Sequence, residues 1–431
     1  MINRNNKKGF TIVELVIVIA VIAILAAVLI PTFAGIINKA HESADIQAVR
    51  QMNTALAVDA VTNETDIFGV YDVLAEAGMD AEDYKPLAKD KYFFWSADKK
   101  CIVYTDKNYT VVYPEEHAGS KYVAGTSKWF SLSMSVEGTA ITGFTNTSTA
   151  VNVTSGEQMV WLLDQINNGE VADTLTITVD GTIDMMGATF SIPEVTKDII
   201  LQSEKDANGK YTGVIKNATS VDTGFKGDGA TNGYDGQYST GLFGEVNPGA
   251  SLKIIGVTFD NINVKNTHAG NVAILVAANG GETAGGTVTI EDVTISNSTV
   301  IGHRTVGALM GHSNNALTLS GSINLTNVNV KTVGGRSGLL IGNVASGGLA
   351  SFNDTSTITV TKSSLSMYEC EQNTGKVTIN ETEYNLGPVE GKITSWAYDG
   401  TGAKTIKGPY DFDATKYNDG KELTYNNIVK N

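Results

Sequence analysis

The chain has 431 residues, a formal net charge of −15, 45 glycines and only seven prolines. This length points to two or three domains. The negative charge argues against nucleic acid as a partner, and the abundance of Gly, Thr, Asn, Val and Ile favours strands and tight turns over helices.

The first predicted element is carried by "KKGFTIVELVIVIAVIAILAAVLIPTF", Lys7 to Phe33. Leu15 to Ile30 is an unbroken run of sixteen apolar residues, extended by Phe10, Ile12 and Val13 around Thr11, and Glu14 is its one charge. About 20 apolar residues span a bilayer core, so the segment predicts one membrane crossing. Arg4, Lys7 and Lys8 precede it with no acid among the first nine residues, which keeps the N-terminus cytoplasmic and exports everything after Pro31. A secretory signal peptide has its small-residue cleavage site after the apolar core, whereas Gly9 stands before this one. By hydropathy alone Glu14 is an anchor's carboxylate reaching back to the interface.

The residues "KKGFTIVELVIVIAVIAILAAVLIP" closely resemble the prepilin leader and N-terminal helix of type IV pilins and type II secretion pseudopilins. The resemblance implies cleavage between Gly9 and Phe10 by a prepilin peptidase and methylation of the new Phe10 amine. It implies a single-pass protein of the cytoplasmic membrane that later joins other pilin or pseudopilin subunits in a surface filament or pseudopilus. It also implies that Glu14, fifth in the mature chain, pairs with the N-terminal amine of a neighbouring subunit, and that Pro31 bends the helix. Such pairing has a physical basis. A lone carboxylate at a helix centre in membrane costs about 2.5–3.5 kcal/mol, much of which a nearby cation recovers.

The helix continues through "TFAGIINKAHESADIQAVRQMNTALAVDAV", where Ile37, Ala40, Ala44, Ala48, Met52 and Ala55 form a stripe at helical spacing and Lys39, Glu42, Asp45 and Arg50 take other faces. A single helix over residues 10–61 is about 80 Å long, matching a pilin stem. "GVYDVLAEAGMDAEDYKPL" predicts a short amphipathic helix stopped at Gly78. "YFFWSADKKCIVYTDKNYTVVYPEE" predicts three strands with Tyr92, Phe94, Ile102, Tyr104 and Val112 as core. The expected organisation is a leader at 1–9, a transmembrane and stem helix at 10–62, and an α+β pilin-like head with a small antiparallel sheet at 63–117. A connection at 118–150, an all-β domain at 151–395 and a closing segment at 396–431 follow.

The β domain opens with "SGEQMVWLLDQINNG", a capping box of Ser155 and Gln158 with Val160, Leu163 and Ile166 as apolar positions. "DTLTITVDGTIDM" then places Leu175, Ile177 and Val179 on one face. A capping helix feeding short strands resembles the entry into a pectin-lyase-like parallel β-helix. "VTFDNINV" at Val257, "VTISNSTV" at Val293, "INLTNVNV" at Ile323 and "ITVTKSSL" at Ile358 recur at intervals of 36, 30 and 35 residues. "GLFG" at Gly241, "AILV" at Ala273, "GALMG" at Gly307 and "GLLIG" at Gly338 recur alongside them. Two patterns in constant order predict a β-solenoid, with Asn263, Asn297 and Asn329 as ladders between coils. A Greek-key β-sandwich is the alternative.

The aligned repeats show no column of acids, so neither the paired carboxylates of a glycosidase nor the base of a lyase is visible. No phosphate loop, zinc motif or catalytic triad appears, and a protein that is not an enzyme and needs no cofactor is expected. "GHRTVGALMGHSNN" gathers His303, Arg304 and His312, with Arg336 one repeat later. If the coils align the two arginines, they offer an anion or glycan site; solvated corner residues are the alternative. Asp228, Asn232 and Asp235 in a Gly-rich loop offer oxygens to calcium, although the spacing misses the EF-hand and an exposed loop is the plainer reading. Cys101 and Cys370 match no metal or redox spacing and allow one bridge or two buried thiols in an oxidising compartment. The expected function is a minor or tip-proximal pilin-like subunit displaying a domain that adheres to a glycan or surface. The alternatives are a secretion pseudopilin and a pilin-anchored carbohydrate-active enzyme.

Overall fold

The computed structural model describes residues 12–58, 67–80, 83–123, 126–221, 239–266, 270–280, 284–302, 305–332, 336–345 and 349–352, and beyond these the backbone of shorter strands from Thr357 to Asn426. The chain divides into two units, Met1–Tyr122 and Val123–Asn431.

In the first unit α1 (Ile12–Val58) is one helix of 47 residues that runs through Pro31, about 70 Å at 1.5 Å per residue. Its two halves meet different surroundings. Up to Ile37 the large apolar side chains that the structure describes are exposed, whereas Asp45, Val49, Met52 and Leu56 are at most 4% exposed. The buried stripe is therefore rotated from the predicted one: Ala44 is exposed, and Ala48 and Ala55 are half-buried. Valine, methionine and leucine remove more apolar area from water than alanine does, and they set the phase. Among the described residues no helix is long and apolar enough to cross a membrane. The unbroken run Leu15–Ile30 is sixteen residues, about 24 Å against a hydrocarbon core of about 30 Å. The residues that extend it through Phe10 and Thr11 lie outside the described ones.

α2 (Ile67–Glu76) buries Ile67, Phe68, Val70, Val73 and Leu74. It ends where Gly78 takes φ +81° and Met79 N donates to Leu74 O at 3.0 Å, the left-handed stop that glycine permits. β1 (Lys91–Ser96), β2 (Cys101–Asp106) and β3 (Val111–Tyr113) then form an antiparallel meander with Phe93 opposite Tyr104 and Trp95 opposite Ile102. Phe93, Phe94, Trp95, Ile102, Val103 and Tyr104 are all buried, so both faces of β1 and β2 are covered. Phe94, Ile102 and Tyr104 are core as predicted, but Tyr92 is half-buried and Val112 is 40% exposed. Tyr109 covers the second face, its ring 5.7 Å from Phe94 and 5.5 Å from Tyr92, with Tyr122 behind it at 6.2 Å.

The second unit contains α3 (Gly156–Asn167), capped by Ser155 Oγ, which accepts from Gln158 N at 3.3 Å. Gln158 Oε1 accepts in turn from Thr154 N at 2.9 Å. α3 buries Met159, Leu162 and Leu163, while Val160 and Ile166 are half-buried. A first sheet stacks the strands Ala150–Val153, Thr174–Val179, Asp198–Ser203, Ser251–Ile255, Thr287–Glu291, Ala316–Ser320 and Leu349–Phe352 in that order. A second stacks Thr182–Asp184, Val214–Lys216, Thr258–Asp260, Thr294–Gly302 and Ser322–Thr332. A third stacks Ile192–Val195, Phe243–Val246, Val276–Asn279, Met310–Ser313 and Ile341–Ala345. The chain visits the three in constant order, and these strands pair in parallel. A Greek-key sandwich pairs its strands antiparallel, so this region does not have that topology. Thr258 lies beside Thr294, Thr294 beside Asn324, and Ile323 beside Ile358, the same intervals that the aligned repeats show. Inward columns such as Leu175, Ile199, Leu252, Val288 and Leu317 are at most 1% exposed.

Two corners recur with left-handed backbone. Gly181, Gly256, Asp292 and Gly321 turn the chain from the first sheet to the second with φ between 53° and 74°. Asn217, Asn261, Asn297 and Asn327 make the next corner with φ between 48° and 56°. Asparagine is among the few residues with a side chain that adopt this region readily. Here the side chains also bond to one another, Asn261 Nδ2 to Asn217 Oδ1 at 2.8 Å and Asn327 Nδ2 to Asn297 Oδ1 at 3.0 Å. The ladder predicted from Asn263, Asn297 and Asn329 is corrected accordingly. Asn263 and Asn329 share a column with Thr299, two residues beyond the corner, and only Asn297 belongs to the ladder.

Candidate functional site

The N-terminal half of α1 is apolar on every side. Consecutive residues Leu15, Val16, Ile17, Val18 and Ile19 are 50–58% exposed, and a helix that is hydrophobic all round belongs in lipid or among other helices. Each such side chain gains about 1.5–3 kcal/mol on full burial, so this surface calls for a non-aqueous partner that the described residues of its own unit do not supply. Glu14 lies in the first turn of α1 and is exposed, where the helix dipole favours a negative charge. An apolar environment around this carboxylate selects for a cation brought close to it. Gly9 and Phe10 lie outside the described residues, and Pro31 stands within α1.

The second half of α1 holds the head through polar anchors. Asp45 is 2% exposed; its carboxylate accepts from Leu87 N at 2.8 Å, Ala88 N at 3.0 Å and the Tyr104 hydroxyl at 3.1 Å. Burial, and next the Asp45 charge, raise the Tyr104 phenol above its ordinary range. Asn53 clasps the Ile102 peptide, Nδ2 donating to its carbonyl at 2.9 Å and Oδ1 accepting its N–H at 2.7 Å. Sequence reasoning placed Asp45 on a face other than the packing stripe. The available signal was its position four residues before Val49, within the stripe that the larger side chains define.

Of the polar residues singled out in the second unit, His303, Arg304, Asp228, Asn232 and Asp235 lie outside the described residues. Arg336 sits on a short strand beside Thr305. His312 is 2% exposed in the third sheet, beside Ala278 and Asn343; it is not a solvated corner residue, and it stands in a different sheet from Arg336. Two carboxylates here, the buried Asp184 and the half-buried Asp260, serve the fold. Asp184 pairs with Lys216 at 3.2 Å and accepts from Asn217 Nδ2 at 2.9 Å, while Asp260 accepts from Ser296 Oγ at 2.6 Å and Asn297 Nδ2 at 2.7 Å. Among the described residues no group of three or more His, Cys, Asp or Glu is placed to hold a metal. Cys101 is a free thiol, pushed up to about 11 by burial and then by Glu116, and Cys370 lies outside the described residues.

No solved structure matches the chain. Residues 4–30 match the family model described as the prokaryotic N-terminal methylation motif. The N-terminus therefore carries a prepilin-type cleavage and methylation motif, which supports a type IV pilin-like or pseudopilin-like precursor.

Proposed function

We propose that this protein is a minor or tip-proximal pilin-like subunit whose second unit is a parallel β-helix displayed for adhesion to a glycan or surface. The observation that carries the reading is the exposed, all-round apolar first half of α1 with Glu14 in its first turn, within the matched segment. In this reading α1 is held in the cytoplasmic membrane with the N-terminus inside. Prepilin peptidase cuts after Gly9, Phe10 is methylated, and Glu14 sets the stagger of the helix against a neighbouring subunit. A second unit of 309 residues on every subunit would crowd a dense filament, which favours a sparse or terminal position.

The constant order of parallel strands supports the β-helix reading, and so do the inward apolar columns. The domain is read as a binder that needs no cofactor, not as an enzyme, because its carboxylates Asp184 and Asp260 are committed to hydrogen bonds at the corners. Replacing Glu14 tests the assembly role. Glu14→Ala protein is expected to insert and be cleaved normally but to be incorporated into filaments at least tenfold less, as read by immunoblot of sheared surface fractions. Incorporation at the parent level would remove the registration role of Glu14.

A further inference from the structure

We infer that the notch between α3 and the segment leading into Ala150–Val153 binds a neutral or N-acetylated sugar. It is a cavity of about 350 Å³ lined by Phe144, Thr145, Asn146, Trp161, Gln165 and Glu170, within the size range of small-molecule sites. The Phe144 and Trp161 rings have centroids 5.3 Å apart and planes at 89°, so they form two walls at right angles. Trp161 is half-buried, whereas Trp95 and Trp129 are each 2% exposed; the fold leaves the Trp161 side chain partly open to solvent. Its position is fixed from behind. A Cβ on Gly138 would come within 3.2 Å of Trp161 Cα and Cβ, and Thr139 N donates to Glu157 O at 2.9 Å, tying the segment to α3.

The chemistry of the lining selects the ligand. A sugar ring has a face of C–H groups that lies flat on an indole and an edge of hydroxyls that needs donors and acceptors together. Asn146 and Gln165 supply both, and Glu170 supplies a strong acceptor. Glu170 N donates to Gln165 O at 2.8 Å, which ties the backbone of these two lining residues together at the end of α3. Thr145 is committed to Thr147 and Ser148 at 3.1 and 3.3 Å. Among the described residues no Lys, Arg or His lines the notch and one carboxylate does, so uronates, sialic acids and sugar phosphates are repelled.

This site rests on the adhesion reading for its biological setting, but sugar binding itself is independent of filament assembly. The test uses the full chain in detergent micelles with glucose, galactose, N-acetylglucosamine and their disaccharides as probes, galacturonate oligomers as the acidic arm, and saturation-transfer NMR as the readout. Saturable binding of a neutral or N-acetylated sugar is expected, at least tenfold weaker in Trp161→Ala. It should also be weaker in the double variant Asn146→Ala/Gln165→Ala, which leaves both aromatic walls standing and whose melting curve shows that it is folded. Glu14→Ala protein should bind as the parent does, which separates this site from the assembly role. Absence of saturable binding by all the neutral and N-acetylated sugars, unchanged binding in the double variant, or tighter binding of galacturonate than of neutral sugars would overturn the proposal.

Discussion

At the scale of the residue, the corner asparagines show how conformation and hydrogen bonding select one side chain. A left-handed backbone costs most L residues about 1–2 kcal/mol, and Asn297, with φ 48°, both donates to Asp260 and accepts from Asn327. Asn297→Ala should lower the stability of the second unit by about 2 kcal/mol, whereas Asn297→Gly, which relieves the backbone but loses the hydrogen bonds, should cost about 1 kcal/mol. Equilibrium urea unfolding checks the order, and equal losses would mean that the backbone conformation contributes nothing. The ladder was partly legible, because the aligned repeats carry Asn261, Asn297 and Asn327 in one column. Asn263 and Asn329 stand in a second column with Thr299 between them, and residue type alone does not say which of two columns turns the chain. Asp45 was less legible, since two of its three partners are backbone N–H groups some forty positions away that no side-chain pattern announces.

At the scale of the element, α1 was legible in extent, and its helical run through Pro31 follows from the uninterrupted pattern on either side. The phase of its buried stripe was not legible, because alanines at helical spacing mimic a packing face while Val49, Met52 and Leu56 supply the larger apolar area. Met52→Ala should therefore destabilise the first unit by about 2–4 kcal/mol. Ala44→Ser, on the exposed side, should change it by less than about 0.5 kcal/mol. Urea midpoints followed by circular dichroism distinguish the two, and a small effect at Met52 would contradict the observed phase. The head sheet escaped the alternating pattern for a related reason: Tyr109 and Tyr122 cover the face that a two-layer head leaves open, so β1 buries Phe93, Phe94 and Trp95 in succession.

At the scale of the whole molecule, the parallel order of the second unit was legible because each circuit repeats the same problem of burying a strand against its neighbour, and the solution recurs at intervals of 30 to 36 residues. The assembly segment was legible for the opposite reason: its meaning is local, held in residues 4–30. The sugar notch was not legible, since folding brings Phe144 and Asn146 to Trp161 from a stretch with little periodicity. The account stands most directly on maturation of the N-terminus, because every later step depends on it. Mass spectrometry of surface-extracted protein should find a chain beginning at N-methylated Phe10 in cells with prepilin peptidase and at Met1 in cells without it. An intact Met1 in surface material from peptidase-positive cells would contradict the account.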